Sequence, residues 1–275
     1  MIVHTKTITL PSQYDTWKIR PIGDIHLDNA GCDRAHLRRV VMGIVEDPLC
    51  YSVGVGDYNE YIGPLDKRFS FSSINKDAKM QEWQYWIQKQ SQNVIDELKP
   101  IPSDKWLGLA WGNHEKFMAE RYYFDPTMDI ARELGTVRLG YEALIRVYVK
   151  GPTGVTAYSI VLYVHHGFGG GELMGSLALK LERLPMKFDA NIYVIGHAHK
   201  QMAFPKVSLG ISTKGKLIKR SMVMVSASSF LKTKQDGMEG YEVVKGLGPV
   251  PIGYTDVKVR MNPNTKDVEL GTEQW

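Results

Sequence analysis

Apolar and polar positions along this chain follow two rhythms. Residues 2–10 (Ile-Val-His-Thr-Lys-Thr-Ile-Thr-Leu) alternate and are rich in β-branched side chains, which predicts an edge strand. Trp17 to Ile22 is an apolar run and reads as a buried strand. Beyond it, Leu37, Val40, Val41, Ile44 and Val45 recur at helical spacing, with Asp33 placed as an N-cap and Pro48 as a stop. Tyr51 to Val55 is a second buried strand, so the first quarter of the chain predicts a βαβ unit. Residues 58–75 are aromatic and Gly/Pro/Ser-rich and read as a loop. The spacing of Met80, Trp83, Ile87, Ile95 and Leu98 predicts a helix over 76–98, stopped by Pro100 and Pro102. Trp106 to Trp111 is the next strand, and 125–134 a short helix with Asp125 as cap and Gly135 just past its end.

The second half favours strands. Leu139 to Val149 and Val155 to Val164 flank Gly151-Pro152-Thr153-Gly154, a hairpin signal. A glycine run at 167–171 leads into a helix reaching about Leu184, and Ala190 to Ile195 is another strand. From Gln201 onward strands separated by Gly and Pro dominate, including Ser221 to Ala227 and Tyr254 to Met261. The class is α/β. A length of 275 residues suits one domain over 1–275, with a loop-plus-helix insertion at about 58–104 and a β-rich C-terminal part from about 201.

Composition narrows this only slightly. Apolar residues make up 43% of the chain, enough for a real core, and two cysteines, Cys32 and Cys50, exclude a disulfide framework or a cysteine-based zinc finger. The net charge is +4, which allows an anionic substrate without demanding nucleic acid. No signal-peptide pattern opens the chain and no apolar run has the roughly 18 residues needed to span a bilayer. The expectation is a cytoplasmic protein with no membrane partner. The segment 205–234 is the most basic, with Lys206, Lys214, Lys216, Lys219, Arg220, Lys232 and Lys234. It reads as a solvated face, with an anion-binding rim as the alternative.

Chemistry enters through five short clusters, each placed just after an apolar run. They are Gly23-Asp24-Ile25-His26, Gly56-Asp57, Gly112-Asn113-His114-Glu115, His165-His166-Gly167 and Gly196-His197-Ala198-His199. Any one alone is weak, because Asp-x-His is commonly a cap and Gly-His-x-His is a frequent accident. Together they supply oxygen and nitrogen donors without thiolates, a set suited to Mn, Fe or Zn. The candidate donors are Asp24, His26, Asp57, Asn113, His166, His197 and His199, too many for one ion. A pair of cations roughly 3.5–4 Å apart, with a carboxylate such as Asp57 between them, accounts for the number. Two divalent ions bring four positive charges, and Asp24, Asp57 and a bridging hydroxide remove three. The surplus favours a phosphate group, and Asn113 preserves it where an Asp would cancel it. Gly54-Val55-Gly56 and the 167–171 run match neither a dinucleotide fingerprint nor a P-loop.

In this order the clusters resemble the calcineurin-like metallophosphoesterase superfamily, over residues 22–199, and the glycine run and Lys/Leu-rich helix before Gly-His-x-His look like members encoded by phages and prophages. The resemblance implies a two-sheet α/β/β/α sandwich with a dinuclear site at the strand carboxyl ends. It implies that Asp24, His26 and His199 hold one metal, Asn113, His166 and His197 the other, with Asp57 bridging. His114 matches the non-ligand histidine that protonates the leaving oxygen or stabilises charge on the phosphoryl group, the nucleophile being a metal-bridging hydroxide. Mn is the expected metal, with Fe or Zn as alternatives. The function it implies is a phosphodiesterase or nuclease acting on DNA, RNA or nucleotides in the cytoplasm, a host's if the gene is a phage's. A phosphomonoesterase or protein phosphatase is the alternative, and a non-catalytic scaffold in a phage assembly a third reading.

Around this set, Glu115 is expected to orient a ligand imidazole, and His165, Arg121 and Lys116 are candidate neighbours or substrate contacts, with an exposed salt bridge as the plainer role for the last two. Asn59 and Glu60, just after Gly-Asp, are left outside the metal shell with no role. Tyr58, Tyr61, Phe69, Phe71 and Phe117 are divided between substrate contact and packing. His4 and His36 are read as surface or strand residues, and Met80, Trp83, Trp86 and Ile87 as a packing face rather than a base-stacking platform.

Overall fold

Strand-forming runs sort into two mixed sheets in the computed structural model, which describes residues 1–62, 85–169, 171, 173–212, 215–232 and 248–275. The strands are β1 (Ile2–Thr9), β2 (Trp17–Ile22), β3 (Cys50–Gly54), β4 (Trp106–Ala110), β5 (Arg138–Gly140), β6 (Glu142–Lys150), β7 (Thr156–His165), β8 (Ile192–Ile195), β9 (Met202–Ile211), β10 (Leu217–Ser226), β11 (Thr255–Met261) and β12 (Val268–Gln274). One sheet has the order β1-β6-β7-β8-β10-β9 and the other β12-β11-β2-β3-β4-β5. Within the second, β2, β3, β4 and β5 run parallel, as do β7, β8 and β10 within the first. The alternating first segment is an edge strand as expected, paired in parallel with β6.

The α-helices among the described residues are α1 (Arg34–Glu46), α2 (Trp86–Leu98), α3 (Asn113–Tyr122), α4 (Pro126–Glu133) and α5 (Met174–Arg183). Three apolar layers hold the sheets and helices together. Trp17, Ile19, Val53 and Leu107 of one sheet meet Ile145, Leu162, Val194 and Val223 of the other between the sheets. Ile22, Trp106 and Leu109 turn the other way, against Leu37, Val41, Ile95 and Ile130 of α1, α2 and α4. Tyr163, Tyr193 and Met224 pack under Leu177 and Leu181 of α5. Burying each such leucine contributes about 1.5–3 kcal/mol. The architecture is therefore the two-sheet α/β sandwich with a helical layer on each outer face.

Local chemistry explains the helix ends. The Asp33 carboxylate accepts the His36 N–H at 2.9 Å and caps α1 as expected. The last carbonyls of α1 are gathered by the buried Lys105 ammonium, which donates to Ile44, Val45 and Asp47. Asp125 caps α4 through the Met128 N–H. Helix α3 was not anticipated: its 10 residues begin on the motif Asn113-His114-Glu115 and lack a strong apolar stripe. Of the helix expected over 76–98, Trp86–Leu98 is seen. Met80, Trp83, Lys67, Arg68, Phe69, Phe71, Gly170, Lys214 and Lys234 lie outside the described residues. Among the described residues no helix is long and apolar enough to cross a membrane.

Candidate metal centre

Five strands, parallel within each sheet, deliver the five clusters to one edge of the sandwich. Ile22, Gly54, Ala110, His165 and Ile195 end β2, β3, β4, β7 and β8, and each is followed within four residues by a donor or is one residue before it. The loops after β2 and β3 continue to pair: Asp24 N–H donates to the Gly56 carbonyl at 2.9 Å, and the Ile25 and His26 N–H groups to the Asp57 carbonyl. Gly56 has φ +92, and a Cβ there would lie 2.2 Å from the Gly112 nitrogen, so only glycine lets these two loops touch.

Backbone strain concentrates on the donors. Asp24, His26, Asp57, His197 and His199 all adopt positive φ, between 48° and 66°. Non-glycine residues avoid this region, and each such placement costs on the order of 1 kcal/mol or more. Strain clustered on one set of polar side chains, at one edge of the sheets, points to a task beyond folding.

The side chains form two groups sharing a carboxylate. In the first, His199 Nε2 lies 3.2 Å from His26 Nε2 and 3.6 Å from Asp24 Oδ1. In the second, His166 Nε2 lies 2.9 Å from Asn113 Oδ1, and Asp57, His166 and His197 present ligand atoms within 4.8 Å of one another. Asp57 Oδ2 stands between the groups, 3.2 Å from His166 Nε2 and 3.9 Å from His26 Nε2. The Asp24 and His166 side chains are completely buried, and Asp57 is 1% exposed. Asp24 Oδ2 accepts the His197 N–H at 2.8 Å, whereas its buried Oδ1 has no hydrogen-bond partner among the described residues. A buried carboxylate oxygen left open toward two imidazole nitrogens is what a cation ligand requires and what packing alone disfavours. The donors present therefore fit a pair of divalent metal ions.

Protonation within the cluster follows from crowding. Burial opposes charge on His26, but Glu60, Asp57 and Asp24 outweigh it and raise the imidazole to about 10. His166 is likewise raised to about 9, mainly by Asp57 against burial. Burial and the neighbouring His166 charge push His197 down to about 4. Burial lifts Asp24 to about 7, while Asp57, beside the His166 cation, stays well below the usual carboxylate range despite its burial.

Around the donors, expectation and structure diverge in places. His114, in the first turn of α3, donates its N–H to Asp57 Oδ1 at 3.0 Å and sets its Nδ1 on the Glu60 carbonyl, with no hydrogen bond to Nε2 among the described residues; its ring meets the edge of His26 at 5.0 Å. Glu115 does not orient an imidazole. Its buried carboxylate instead takes the N–H groups of Asp57, Tyr58 and Gly112 at 2.7–2.9 Å, bracing the two loops. His166 reaches the cluster; His165 faces away, accepting the Gly167 N–H and packing on Tyr141. Arg121 is exposed on the last turn of α3 and has no ion pair among the described residues, while Lys116 pairs with Glu120. Tyr58 and Tyr61 are buried, with hydroxyls bonded to Ala110 and Ser91, so both are packing residues. His36 is sandwiched near Phe230 and Tyr254 rather than lying free on the surface.

The sequence reading gave Glu60 no role, yet its carboxylate sits 3.0 Å from His26 Nδ1, held there by Asn29. Its position three residues after Asp57 was visible; its direction was set by the turn at Asp57. Asn59 bonds Asp28 and the Gln90 carbonyl and ties the same loop to α2. The basic residues of β9 and β10 do not rim this centre: β10 runs parallel to β8, and their basic stretch lies toward the end opposite His197.

No protein-family model matches the chain, and no curated protein matches it significantly. Among solved structures, it is similar to vacuolar protein sorting 29 from Cryptosporidium parvum at 13% identity and TM-score 0.37, covering 94% of this chain and 98% of that one. A metallophosphoesterase from Sphaerobacter thermophilus is 12% identical at TM-score 0.38, with 94% and 89% covered. A conserved uncharacterised protein from Streptococcus pneumoniae, named as a predicted phosphoesterase, is 12% identical at TM-score 0.35, with 95% and 98% covered. The likeness is distant, and what these side chains can do follows from their own geometry.

Proposed function

We propose that this chain is a metal-dependent phosphoesterase of the calcineurin-like superfamily, acting on phosphodiesters of nucleotides or nucleic acid. The observation that supports it most is the position of the Asp57 carboxylate, with one oxygen between two separate groups of His and Asp/Asn donors. In this reading Asp24, His26 and His199 hold one cation and Asn113, His166 and His197 the other, with Asp57 shared. Bound Mn, or Fe or Zn in its place, would supply Lewis acidity toward phosphoryl oxygens and lower the pKa of water.

The chain's own residues do the rest. Asn113 contributes a neutral oxygen, so the loaded site keeps a positive surplus that attracts a phosphate anion. His114, with Nδ1 on the Glu60 carbonyl, presents Nε2 to the leaving oxygen as a proton donor. Glu115 keeps the Asp57 and Gly112 loops at fixed separation, so His114 and the shared carboxylate stay in register.

Protein reconstituted with Mn²⁺ is expected to hydrolyse bis(p-nitrophenyl) phosphate faster than p-nitrophenyl phosphate, and chelation should abolish both. A preference for the monoester would replace the phosphodiester reading. No turnover with Mn, Fe or Zn at mildly alkaline pH would reject the phosphoesterase reading itself.

A further inference from the structure

Strands β9 and β10 pair in register over ten residues each, from Met202↔Ser226 to Ile211↔Leu217. Strand β8 pairs with β10 only at Val223–Ser226. The remaining stretch, Leu217–Met222 with Lys206–Ile211, therefore continues past β8 as a two-stranded ribbon of about 20 Å, at roughly 3.3 Å per residue. It runs away from the candidate metal centre, because β10 is parallel to the strand that leads into His197.

The ribbon has an unusual surface. The sequence 202–226 contains no Asp or Glu, and its described residues carry Lys206, Lys216, Lys219 and Arg220. Among the described residues none of Lys206, Lys216, Lys219 and Arg220 forms an ion pair; β12 packs beside β9 and β10, and its Glu269, bonded to Arg260 and Asn262, also feels the Lys219 charge. Alternation puts Val207, Leu209, Ile211, Leu217 and Lys219 on one face and Lys206, Ser208 and Arg220 on the other. The four aliphatic side chains are 51–74% exposed. Ile211 and Leu217 stand directly opposite each other at the free end.

We infer that this ribbon is a nucleic-acid-binding arm that enters a groove of a duplex. A major groove about 12 Å wide admits a two-stranded ribbon, and unpaired Lys and Arg side chains meet the phosphates on its walls. Cations on both faces suit an arm enclosed by charge on two sides. A second copy of this chain would bring like charge against like. The cross-strand pair Ile211 and Leu217 puts aliphatic side chains at the leading end, where they can meet thymine methyl groups on the groove floor. The ribbon lacks aromatic side chains beyond Phe204 at its base, which disfavours stacking on single strands. This inference does not depend on the phosphoesterase reading, since the arm and the metal centre lie at opposite ends of the sheet.

The test is fluorescence anisotropy of the full chain with a labelled duplex of about 20 base pairs, titrated across salt. The expected result is binding that weakens linearly on a log–log salt plot. The variant Lys216→Ser/Lys219→Ser/Arg220→Ser should lose at least tenfold in affinity and flatten the slope by about 2.7, at ~0.9 per phosphate contact. Ile211→Ser/Leu217→Ser, a second variant confined to exposed positions, should lose affinity with the slope unchanged. Three outcomes overturn the arm: no salt-dependent duplex binding by the unaltered chain, a triple variant that melts normally and binds equally well, or equal binding to phosphatidylserine vesicles or polyglutamate.

Discussion

Glu60 and His26 meet across the turn that follows β3: the carboxylate Oε1 lies 3.0 Å from the imidazole Nδ1, while His26 Nε2 faces His199. The ring is thus held from behind with its other nitrogen directed into the donor group. Against its burial, the His26 charge draws the Glu60 carboxyl down to about 2, so the pair is ionic over the physiological range. Supports of this kind behind a ligating histidine typically contribute 10–100-fold in metal affinity. Glu60→Ala is expected to weaken Mn²⁺ binding by that factor in a chelator competition, with Glu60→Gln intermediate. Unchanged affinity in both variants would show that the contact is incidental.

Asp57 and His114 separate metal holding from proton transfer. Asp57→Ala should lose bound metal and turnover together. His114→Ala should keep its metal and lose about 10²–10⁴ in rate, the usual contribution of a general acid. Elemental analysis alongside diester hydrolysis reads both quantities, and equal metal loss in the two variants would remove His114 from its assigned role.

Metal uptake should release protons. His26 and His166 are raised to about 10 and about 9, so both imidazoles are charged near neutral pH, and each must be neutral to ligate. Binding to chelator-stripped protein is expected to expel between two and three protons per chain near neutrality, two from these imidazoles and a fraction from Asp24, which burial lifts to about 7, and apparent affinity should climb as pH rises toward the raised values. Calorimetry in buffers of different ionisation heat measures the count; release well below one proton would contradict the assignment.

Stability should respond most sharply at Arg20 and Asp256. Their bidentate pair, at 2.7 and 2.8 Å, is 5% and 1% exposed and joins β2 to β11, with Tyr254 stacked on the guanidinium. Removing one partner leaves an uncompensated buried charge, so Asp256→Ala should cost about 3–5 kcal/mol. Replacing both, as in Arg20→Met with Asp256→Leu, should recover most of that loss in urea denaturation.

Much of this protein was legible from residue order because its strands are short, apolar and followed at once by their chemistry. The β2-α1-β3 unit, the Asp33 cap, the β6–β7 hairpin and the positions of the seven candidate donors just past strand ends all express local rules of spacing, capping and turn chemistry. Helix α3 was missed because His114 and Glu115 are buried polar residues, which break the apolar stripe that marks a helix. What only the tertiary structure decided is direction. Positive φ at Asp24, His26, Asp57, His197 and His199 aims side chains toward one another, and such strain persists only when surrounding packing imposes it. The same holds for Glu115, turned onto backbone N–H groups, for Glu60, turned onto His26, and for the basic ribbon, carried away from the donors by the parallel run of β8 and β10. Spacing along a chain tells which groups can be neighbours; the contacts that orient them join residues far apart in sequence, and those exist only once both sheets have closed on their shared core.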